Sequence, residues 1–319
     1  MSSVDEYLPD RVEICECWAR DGIQAWSTPL SLSDRVELIN KSLEAGFAEV
    51  ELGAMVPART TPQFTDMAEL LPRIRRPDGV GGRVLVPNSR GMERLLQVPG
   101  AREAVTAVGT PVSASERHNL ANMRKSVDEQ MLEIQGITRM AAAEGLEVVC
   151  AVATAFGCPL EGRVDRERVL TLAERLAEMG VRRIMLSDTT GLADPRGAYE
   201  LFTLAAARLP GVQLIAHFHD TRGRGIANTL AAFAAGVRFA DTAFGGTGGE
   251  PHSVAHGHVG DMGNVCTEDL VSVLAQMGVA TGIELPDLIE LGRSAEKAMG
   301  TELYSQVLRS GPGLELLPA

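Results

Sequence analysis

Two histidines separated by a single residue, His217 and His219, end an apolar run that begins at Leu214. The run predicts a buried strand, and because side chains alternate along a strand with a period of two, both imidazoles leave the backbone on the same side. Two neutral imidazoles at the end of a strand supply half of the ligands of a divalent metal site. For such a pair on its own, the alternative is that each histidine is a hydrogen-bonded residue of the core or its rim.

Two further residues could complete a metal site with these histidines. Asp21 follows the apolar run 12–18, which predicts the first strand, and Asn264 offers a side-chain carbonyl oxygen. Carboxylate, amide and imidazole ligands with positions left open for substrate are typical of hard or borderline divalent ions. An aspartate after a strand is more often a helix cap when it stands alone, but together with the histidine pair it favours a metal site.

Charged residues at the ends of other predicted strands extend this set. Arg20 is a candidate electrophile because a guanidinium stays charged and can hold an enolate or carboxylate oxygen through two parallel hydrogen bonds; a surface ion pair is the alternative. Glu51 could orient Arg20 or the metal-bound group, or form a structural salt bridge. Asp188 and Asp220 are candidates for contacts to the ligands or the substrate, although Asp220 could instead only cap its own turn.

Strand and helix patterns alternate along the chain. Apolar runs bounded by turn residues predict strands at residues 12–18, 48–53, 83–88, 103–108, 146–151, 183–188, 212–219 and 237–243. Periodic segments with caps and glycine stops predict helices at residues 33–45, 62–75, 122–144, 165–179, 195–209, 225–235, 267–277 and 286–299.

This alternation favours one closed (β/α)₈ barrel, a TIM barrel, with an extra C-terminal helix at about residues 286–299. A doubly wound open sheet is the second choice. The strand count reaches eight, short connections leave no linker between domains, and polar residues gather at the carboxyl ends of strands, where barrel active sites lie. We therefore predict a single domain over residues 1–319.

The composition excludes several classes of function. Of the 319 residues, 45% are hydrophobic and 23% are charged, which allows a large core. The net charge of −12 and an aromatic content of 4% argue against a nucleic-acid surface and favour a small-molecule ligand. No apolar run reaches the length of a membrane span and the acidic start does not resemble a signal peptide, so we expect a cytoplasmic protein with no membrane partner.

Five cysteines, an odd number without a repeating framework, indicate reduced thiols. Cys15 and Cys17 share one face of the first predicted strand. A thiolate pair for zinc is possible there, but buried small hydrophobic residues are the favoured interpretation, as for Cys150 and Cys266.

Six motifs in collinear order resemble the metal-dependent barrel lyases and synthases typified by hydroxymethylglutaryl-CoA lyase. The motifs that carry the resemblance, which extends over about residues 11–295, lie at residues 19–24, 85–88, 157–162, 186–191, 217–221 and 263–269. The resemblance implies a barrel that binds Mg²⁺ or Mn²⁺ through four ligands, Asp21, His217, His219 and Asn264. It further implies that Arg20 stabilises an enolate and that three residues line the site, Gln24, Glu51 and Asp188.

The loop after the eighth predicted strand departs from this family. Similar lyases carry a proton-transferring cysteine in a Gly-Gly-Cys-Pro motif, whereas this chain has Gly248-Gly249-Glu250-Pro251. A carboxyl near a metal can act as base, substrate anchor or acid. The loop also adds three histidines, one of which could donate the proton, although the alternative for each is a solvated position. The glycines of residues 245–263 fit a lid that closes over substrate.

The predicted roles follow from the resemblance. Arg20, Glu250 and Asp188 are predicted to be catalytic, and the residues predicted to bind substrate are Gln24, Glu51 and His252. We expect a metal-dependent C–C lyase that cleaves a hydroxymethylglutaryl-CoA-like 3-hydroxy acyl-CoA by a retro-Claisen step. A Claisen-type synthase, an aldolase acting on a 2-keto acid, and a binding protein without catalysis are the alternatives. The family's synthases usually carry a C-terminal regulatory domain, whereas this chain stops shortly after its extra helix, so we expect cleavage rather than condensation. A homodimer is the default assembly that we expect.

Overall fold

Eight parallel strands form a closed barrel in the computed structural model, which describes residues 8–57, 61–249 and 263–312. Each strand pairs with the next, and β8 pairs with β1. The strands are β1 Glu13–Glu16, β2 Glu49–Ala54, β3 Gly81–Leu85, β4 Ala107–Ser113, β5 Glu147–Ala153, β6 Arg183–Asp188, β7 Gln213–Phe218 and β8 Phe239–Thr242. The predicted (β/α)₈ barrel is confirmed, because a doubly wound sheet would have two open edges.

Helices connect the strands on the outside of the barrel. In the described ranges they are α1 Leu32–Glu44, α2 Met67–Leu70, α3 Ser89–Leu96, α4 Ala101–Ala104, α5 Glu116–Met123, α6 Val127–Ala143, α7 Arg166–Glu178, α8 Pro195–Arg208, α9 Gly225–Ala234, α10 Thr267–Gln276, α11 Leu285–Met299 and α12 Gln306–Ser310. Polar side chains accept a backbone N–H at the starts of several of them, which satisfies donors that the helix itself leaves unpaired. These caps are Ser31, Asn88, Ser115, Ser126, Asp165, Asp194 and Ser305.

Three predicted elements differ from the structure. The helix expected at 122–144 begins five residues later, as α6, because Ser126 and Glu129 form a capping box that starts it, and residues 116–123 form the separate helix α5. The helix expected at 62–75 is reduced to α2 between two 3₁₀ turns, since Pro72 cannot donate a backbone hydrogen bond. The strand expected at 103–108 begins at Ala107, because a helical turn at Ala101–Ala104 buries its two alanines against the core.

The extra helix predicted near the C-terminus is confirmed as α11. It packs against α1 and α10 and reaches the turn that follows β1, where Trp18 Nε1 donates a hydrogen bond to Met299 Sδ at 3.2 Å. The added helix therefore supports the backbone that carries Arg20 and Asp21.

Inside the barrel, the strands alternate between two environments. One side of each strand packs on the helices in the main hydrophobic core. The other side points into the barrel, where a smaller apolar cluster contains Cys15, Cys17, Ala107, Val149, Met185, Ile215 and Phe239. Charged residues of β2, β3 and β8 share this interior, so the barrel is filled by both apolar and ionic contacts.

No helix in the described ranges is long and apolar enough to cross a membrane. The cytoplasmic location, the single domain and the homodimer stay predictions.

Candidate active site

A carboxylate and two imidazoles meet at the carboxyl end of the barrel strands. The Nε2 atoms of His217 and His219 are 3.1 Å apart, and Asp21 Oδ2 lies 3.9 Å from the first and 3.4 Å from the second. All three side chains are buried, and their ligand atoms are close enough together to hold one metal ion. The structure thus brings together three residues that the sequence analysis grouped from distant parts of the chain.

A short π-helical turn, Trp18–Gly22, places Asp21 in this cluster. The turn follows β1 directly, and the Gly22 N–H donates to the Cys17 carbonyl at 3.1 Å, which widens the turn by one residue compared with an α-helix. A side chain at Gly22 would meet Thr247 Oγ1 at 2.7 Å, so glycine is needed for this close approach. The sequence predicted only a loop here, because π turns have no simple sequence pattern.

Asn264 stands beside the three ligands with an oxygen that no described residue satisfies. Its backbone forms a bridge with that of His219, and its Nδ2 donates to Asp21 Oδ2 and to the Thr247 carbonyl, each at 2.9 Å. Its Oδ1 is buried and has no hydrogen-bond partner in the described chain. A buried unpaired carbonyl oxygen costs free energy unless something else pairs with it. One carboxylate, two imidazoles and this amide oxygen suit a divalent cation such as Mg²⁺ or Mn²⁺.

The charges around Asp21 keep it ionised. Burial alone would raise the pKa of this carboxyl, but Arg20 and the two neighbouring histidines outweigh burial and hold the pKa well below its usual range. A carboxylate must be ionised to bind a metal, so the surroundings of Asp21 suit that role.

Arg20 is held by two carboxylates at the edge of the same cluster. Its Nε donates to Glu51 Oε2 at 2.6 Å and one terminal nitrogen donates to Asp21 Oδ1 at 2.7 Å. Gln24 donates to the same Asp21 oxygen at 2.7 Å. The Arg20 side chain keeps 12% of its surface exposed, and its other terminal nitrogen makes no hydrogen bond with a described residue. The guanidinium is therefore oriented by the protein while one donor is left to face a ligand.

Asp188 lies at the end of β6, but its carboxylate is already engaged. Its two oxygens accept backbone N–H groups from Leu192 at 2.7 Å and Ala193 at 2.9 Å, and burial raises its pKa. The carboxylate ties the loop after β6 to the barrel, and its predicted catalytic role stays a prediction. Asp220 caps its own turn by accepting the Gly225 N–H, which is the simpler of its two predicted roles.

The predicted lid residues Glu250 and His252 lie outside the described residues. Of the glycines on either side, Gly248 lies against residues of the proposed metal cluster, and Gly263 packs against Gly248. A side chain at Gly248, whose φ is +102°, would meet Asn264 Nδ2 at 2.5 Å and the Asp21 carbonyl oxygen at 2.7 Å. One at Gly263 would meet Gly248 itself at 2.1 Å. The described glycines that flank positions 250–262 thus lie beside the proposed ligands or one residue before them.

Two buried acids that the sequence analysis missed support the site. Asp241 on β8 lies 3.3 Å from His217 Nδ1. Burial alone would raise the pKa of the Asp241 carboxyl, but Arg83 and His217 outweigh burial and lower this pKa to about 2. Glu16 on β1 accepts hydrogen bonds from Trp18 and Thr267 and so joins the π-helical turn to the start of α10. A charged residue in phase with the inward side of an apolar strand was the available signal for Asp241.

The HMGL-like family model matches residues 11–294. The chain belongs to the HMGL-like family. The predicted resemblance is thereby confirmed over the range on which it was based.

Other members of the HMGL-like family match nearly the whole chain. The hydroxymethylglutaryl-CoA lyase of Pseudomonas mevalonii is 38% identical over 290 residues, which are 91% of this chain and 93% of the relative. The (R)-citramalyl-CoA lyase of Chloroflexus aurantiacus is 34% identical over 313 residues, covering 95% and 96% of the two chains. A solved HMG-CoA lyase of Acinetobacter baumannii, in complex with coenzyme A and 3-methylmalate, superposes with a TM-score of 0.89 at 32% identity and full coverage of both chains.

Proposed function

We propose that this HMGL-like protein is a divalent-metal-dependent carbon–carbon lyase that cleaves a 3-hydroxy acyl-CoA. The observation that carries the proposal is the buried cluster of Asp21, His217 and His219, with the unpaired Asn264 oxygen beside it and Arg20 at its edge. Relatives with high coverage are lyases of hydroxymethylglutaryl-CoA and citramalyl-CoA, two thioesters that share a hydroxyl group on the carbon that becomes a carbonyl.

The reaction develops negative charge first on the substrate hydroxyl oxygen and then on the enolate. The substrate hydroxyl gives its proton to a base, the bond between the α- and β-carbons breaks, and the β-carbon becomes the carbonyl group of a keto acid. The electron pair of the broken bond stays on the acyl-CoA fragment as an enolate, which then takes up a proton at its α-carbon. A bound Mg²⁺ or Mn²⁺ would supply Lewis-acid polarisation of the oxygens that carry these charges.

The protein's own residues would do the rest. Asp21, His217, His219 and Asn264 would hold the metal ion. Arg20, fixed by Glu51 and Asp21, would direct its free donor at the enolate oxygen, where a preorganised positive charge stabilises the transition state more than the ground state. Gln24 is fixed to Asp21 and would line the substrate side of the cluster.

Glu250 is proposed to move the proton that a cysteine moves in similar lyases, and His252 to contact the substrate. The support for this is the sequence position of Glu250, two residues after Gly248, whose backbone is packed against Asp21 and Asn264. Asp188 is retained as a candidate for proton transfer near His219.

The test is a product assay by mass spectrometry on Mn²⁺-loaded protein with hydroxymethylglutaryl-CoA and citramalyl-CoA in separate reactions. We expect acetyl-CoA together with acetoacetate or pyruvate, and loss of product in His219→Ala. The matched control is His118→Ala, which removes a buried histidine far from the cluster in sequence and should keep activity.

Two further variants resolve the loop chemistry. Loss of cleavage in Glu250→Ala would place Glu250 in the reaction. If the wild type forms no product but Glu250→Cys cleaves the thioester, the barrel is a lyase whose natural substrate is a different thioester. Consumption of acetyl-CoA and a keto acid with release of free CoA, and no cleavage of either thioester, would instead identify a synthase and contradict the proposal.

A further inference from the structure

Arg83 lies inside the barrel below the candidate active site and is completely buried. It is the third residue of β3, and its guanidinium stands among carboxylates from two other strands: Asp241 Oδ2 at 2.8 Å, Glu49 Oε1 at 3.1 Å and Glu51 Oε1 at 3.4 Å. A buried charge persists in a folded protein only when such partners surround it. Two of the three partners also contact residues of the candidate active site.

The first connection runs to a proposed metal ligand. Arg83 donates to Asp241 Oδ2, and the same oxygen lies 3.3 Å from His217 Nδ1. A carboxylate in this position favours the tautomer with the proton on Nδ1, which leaves the Nε2 lone pair for a metal. Because Asp241 is fixed by Arg83, the ring of His217 is fixed as well.

The second connection runs to Arg20. Glu51 is shared between two guanidinium groups, with Oε1 at 3.4 Å from Arg83 Nε and Oε2 at 2.6 Å from Arg20 Nε. Without Arg83, Glu51 would have one cationic partner, and it would be free to turn toward Arg20 alone. The position of the Arg20 guanidinium therefore depends on the residue behind Glu51.

We propose that Arg83 is a positioning residue that sets the geometry of both parts of the active site at once, His217 through Asp241 and Arg20 through Glu51. The inference rests on the proposed function only in assigning His217 and Arg20 to the lyase reaction. A planar guanidinium can donate to Asp241 from one nitrogen while a second nitrogen faces Glu51 as an ion pair at 3.4 Å, which the point charge of a lysine cannot do. Arg83 itself does not touch the substrate.

The surroundings of Arg83 also explain a second group of possible metal ligands. Cys15, Cys17 and Asp241 are close enough together to hold an ion. However, the Arg83 terminal nitrogen that binds Asp241 lies 3.4 Å from both sulfur atoms. The cation at this place is the guanidinium, and the thiols pack around it.

The experiment compares Arg83→Lys with Arg183→Lys. Arg183 is a matched control because it also pairs with Glu49, at 2.6 Å, but its ion pairs reach neither Glu51 nor Asp241. Three quantities are measured for each variant: the Mn²⁺ dissociation constant by calorimetry, the tautomer of His217 in the metal-free protein by ¹⁵N NMR, and kcat for the thioester. We expect Arg83→Lys to weaken Mn²⁺ binding and to lower kcat, each by roughly 10-fold to 100-fold, and to change the His217 signals. The control should change only the melting temperature.

Unchanged Mn²⁺ affinity and unchanged His217 signals in Arg83→Lys, with a lowered melting temperature, would overturn the inference and leave Arg83 a structural residue. If Arg83→Lys does not fold, Asp241→Asn tests the first connection, and it should weaken Mn²⁺ binding to the same extent; no change would again overturn the inference. A wild-type protein that cleaves neither thioester, but whose Mn²⁺ affinity and His217 signals respond to Arg83→Lys, would contradict the proposed function and support the positioning role.

Discussion

At the scale of single residues, the amide of Asn264 is held so that its oxygen is left over. Both hydrogens of Nδ2 are used, one by Asp21 and one by the Thr247 carbonyl. The hydrogen bonds of Nδ2 thus fix the direction of the oxygen, which is a neutral candidate ligand beside one carboxylate and two imidazoles. We therefore expect this oxygen to contribute to the affinity for a metal ion.

Replacing Asn264 by leucine, which has a similar size, should therefore weaken Mn²⁺ binding by at least roughly 10-fold, because loss of even an outer partner of a metal site has an effect of that order. The control is Asn228→Leu, since Asn228 on α9 is also buried and its Oδ1 has no hydrogen-bond partner within the described ranges. Calorimetric titration of both variants checks the prediction. Equal loss of affinity in the two variants would mean that burial, not ligation, explains the effect.

A second buried side chain, Glu268, is predicted to make stability depend on pH. It accepts hydrogen bonds from Gly245 N–H at 2.9 Å and from the Cys266 thiol at 3.0 Å, and burial raises its pKa to about 7 from the usual 4.5. Between these two values the unfolded chain has released the proton while the folded protein keeps it. The free energy of unfolding that depends on this group is therefore largest at low pH and falls as the pH rises toward 7.

Glu268→Gln removes this titration. Relative to the wild type, the variant should gain up to about 3 kcal/mol in the free energy of unfolding between pH 5 and pH 8, since one pKa unit corresponds to about 1.4 kcal/mol. Urea unfolding at the two pH values measures the difference. Glu178→Gln, at an exposed position on α7, should show none, and a pH-independent difference for Glu268→Gln would contradict the raised pKa.

The sequence predicts the proposed metal ligands better than the residues that hold these ligands in place. Residue type and position at strand ends were sufficient to group Asp21 with the histidine pair, whereas Asn264 became the fourth candidate ligand through the resemblance to the lyase family. Arg83 gave no such signal, because a lone arginine in a short strand fits a solvent-exposed position equally well. Its partner Asp241 is 158 residues away in the chain, and only the closure of the barrel brings β3 and β8 to the same interior.

At the scale of elements, the described start of the connection after β8 matters most because Gly248 packs on the proposed ligands Asp21 and Asn264. Gly248→Ala should lower both Mn²⁺ affinity and stability, since the new methyl group overlaps Asn264 and the Asp21 carbonyl. Gly145→Ala is the control: its φ is also positive, at +68°, but nothing lies within 4 Å of the added atom. The control should lose about 1–2 kcal/mol of stability from backbone strain and keep its metal affinity.

Measuring Mn²⁺ affinity and thermal unfolding for the two glycine variants separates the effects. Full Mn²⁺ affinity in Gly248→Ala would show that the loop end moves aside without disturbing Asn264.

Helices and strands were predictable where the hydrophobic periodicity was strong, and less predictable where the hydrogen bonds of a few residues determine the local structure. The eight strands and α11 follow from apolar runs and periodic faces in the sequence. The π-helical turn and the division between α5 and α6 depend instead on single hydrogen bonds, such as the Gly22 N–H to Cys17 bond and the Ser126 cap. Competition between such local bonds and regular helix geometry is decided by the tertiary contacts around them, which the sequence does not display.

At the scale of the whole molecule, the proposed metal site joins parts of the barrel that are distant in the chain. Asp21 follows β1, His217 lies in β7 and His219 directly after it, and Asn264 precedes α10, so a bound ion would cross-link the closure point of the barrel. Ligands that bind only the folded state stabilise it by about 2.7 kcal/mol at a concentration of 100 times Kd.

For a chain of this length, that stabilisation corresponds to an increase in melting temperature of about 4 °C. We expect Mn²⁺ at this concentration to produce it, chelation by EDTA to reverse it, and His219→Ala to abolish it while His118→Ala retains it. An increase of the same size in His219→Ala would place the bound metal elsewhere.

All five cysteines of the chain are buried in the fold, and none forms a disulfide. Burial raises the pKa of Cys15 to about 12 and also raises that of Cys150, so the reactive thiolate form is scarce as well as inaccessible. With Glu250 at the position where similar lyases carry a cysteine, the folded protein presents no thiol to an alkylating agent or to peroxide. Such reagents should not react with the folded protein and should modify it only as fast as it unfolds. The rate of thiol labelling therefore measures the rate at which the barrel opens.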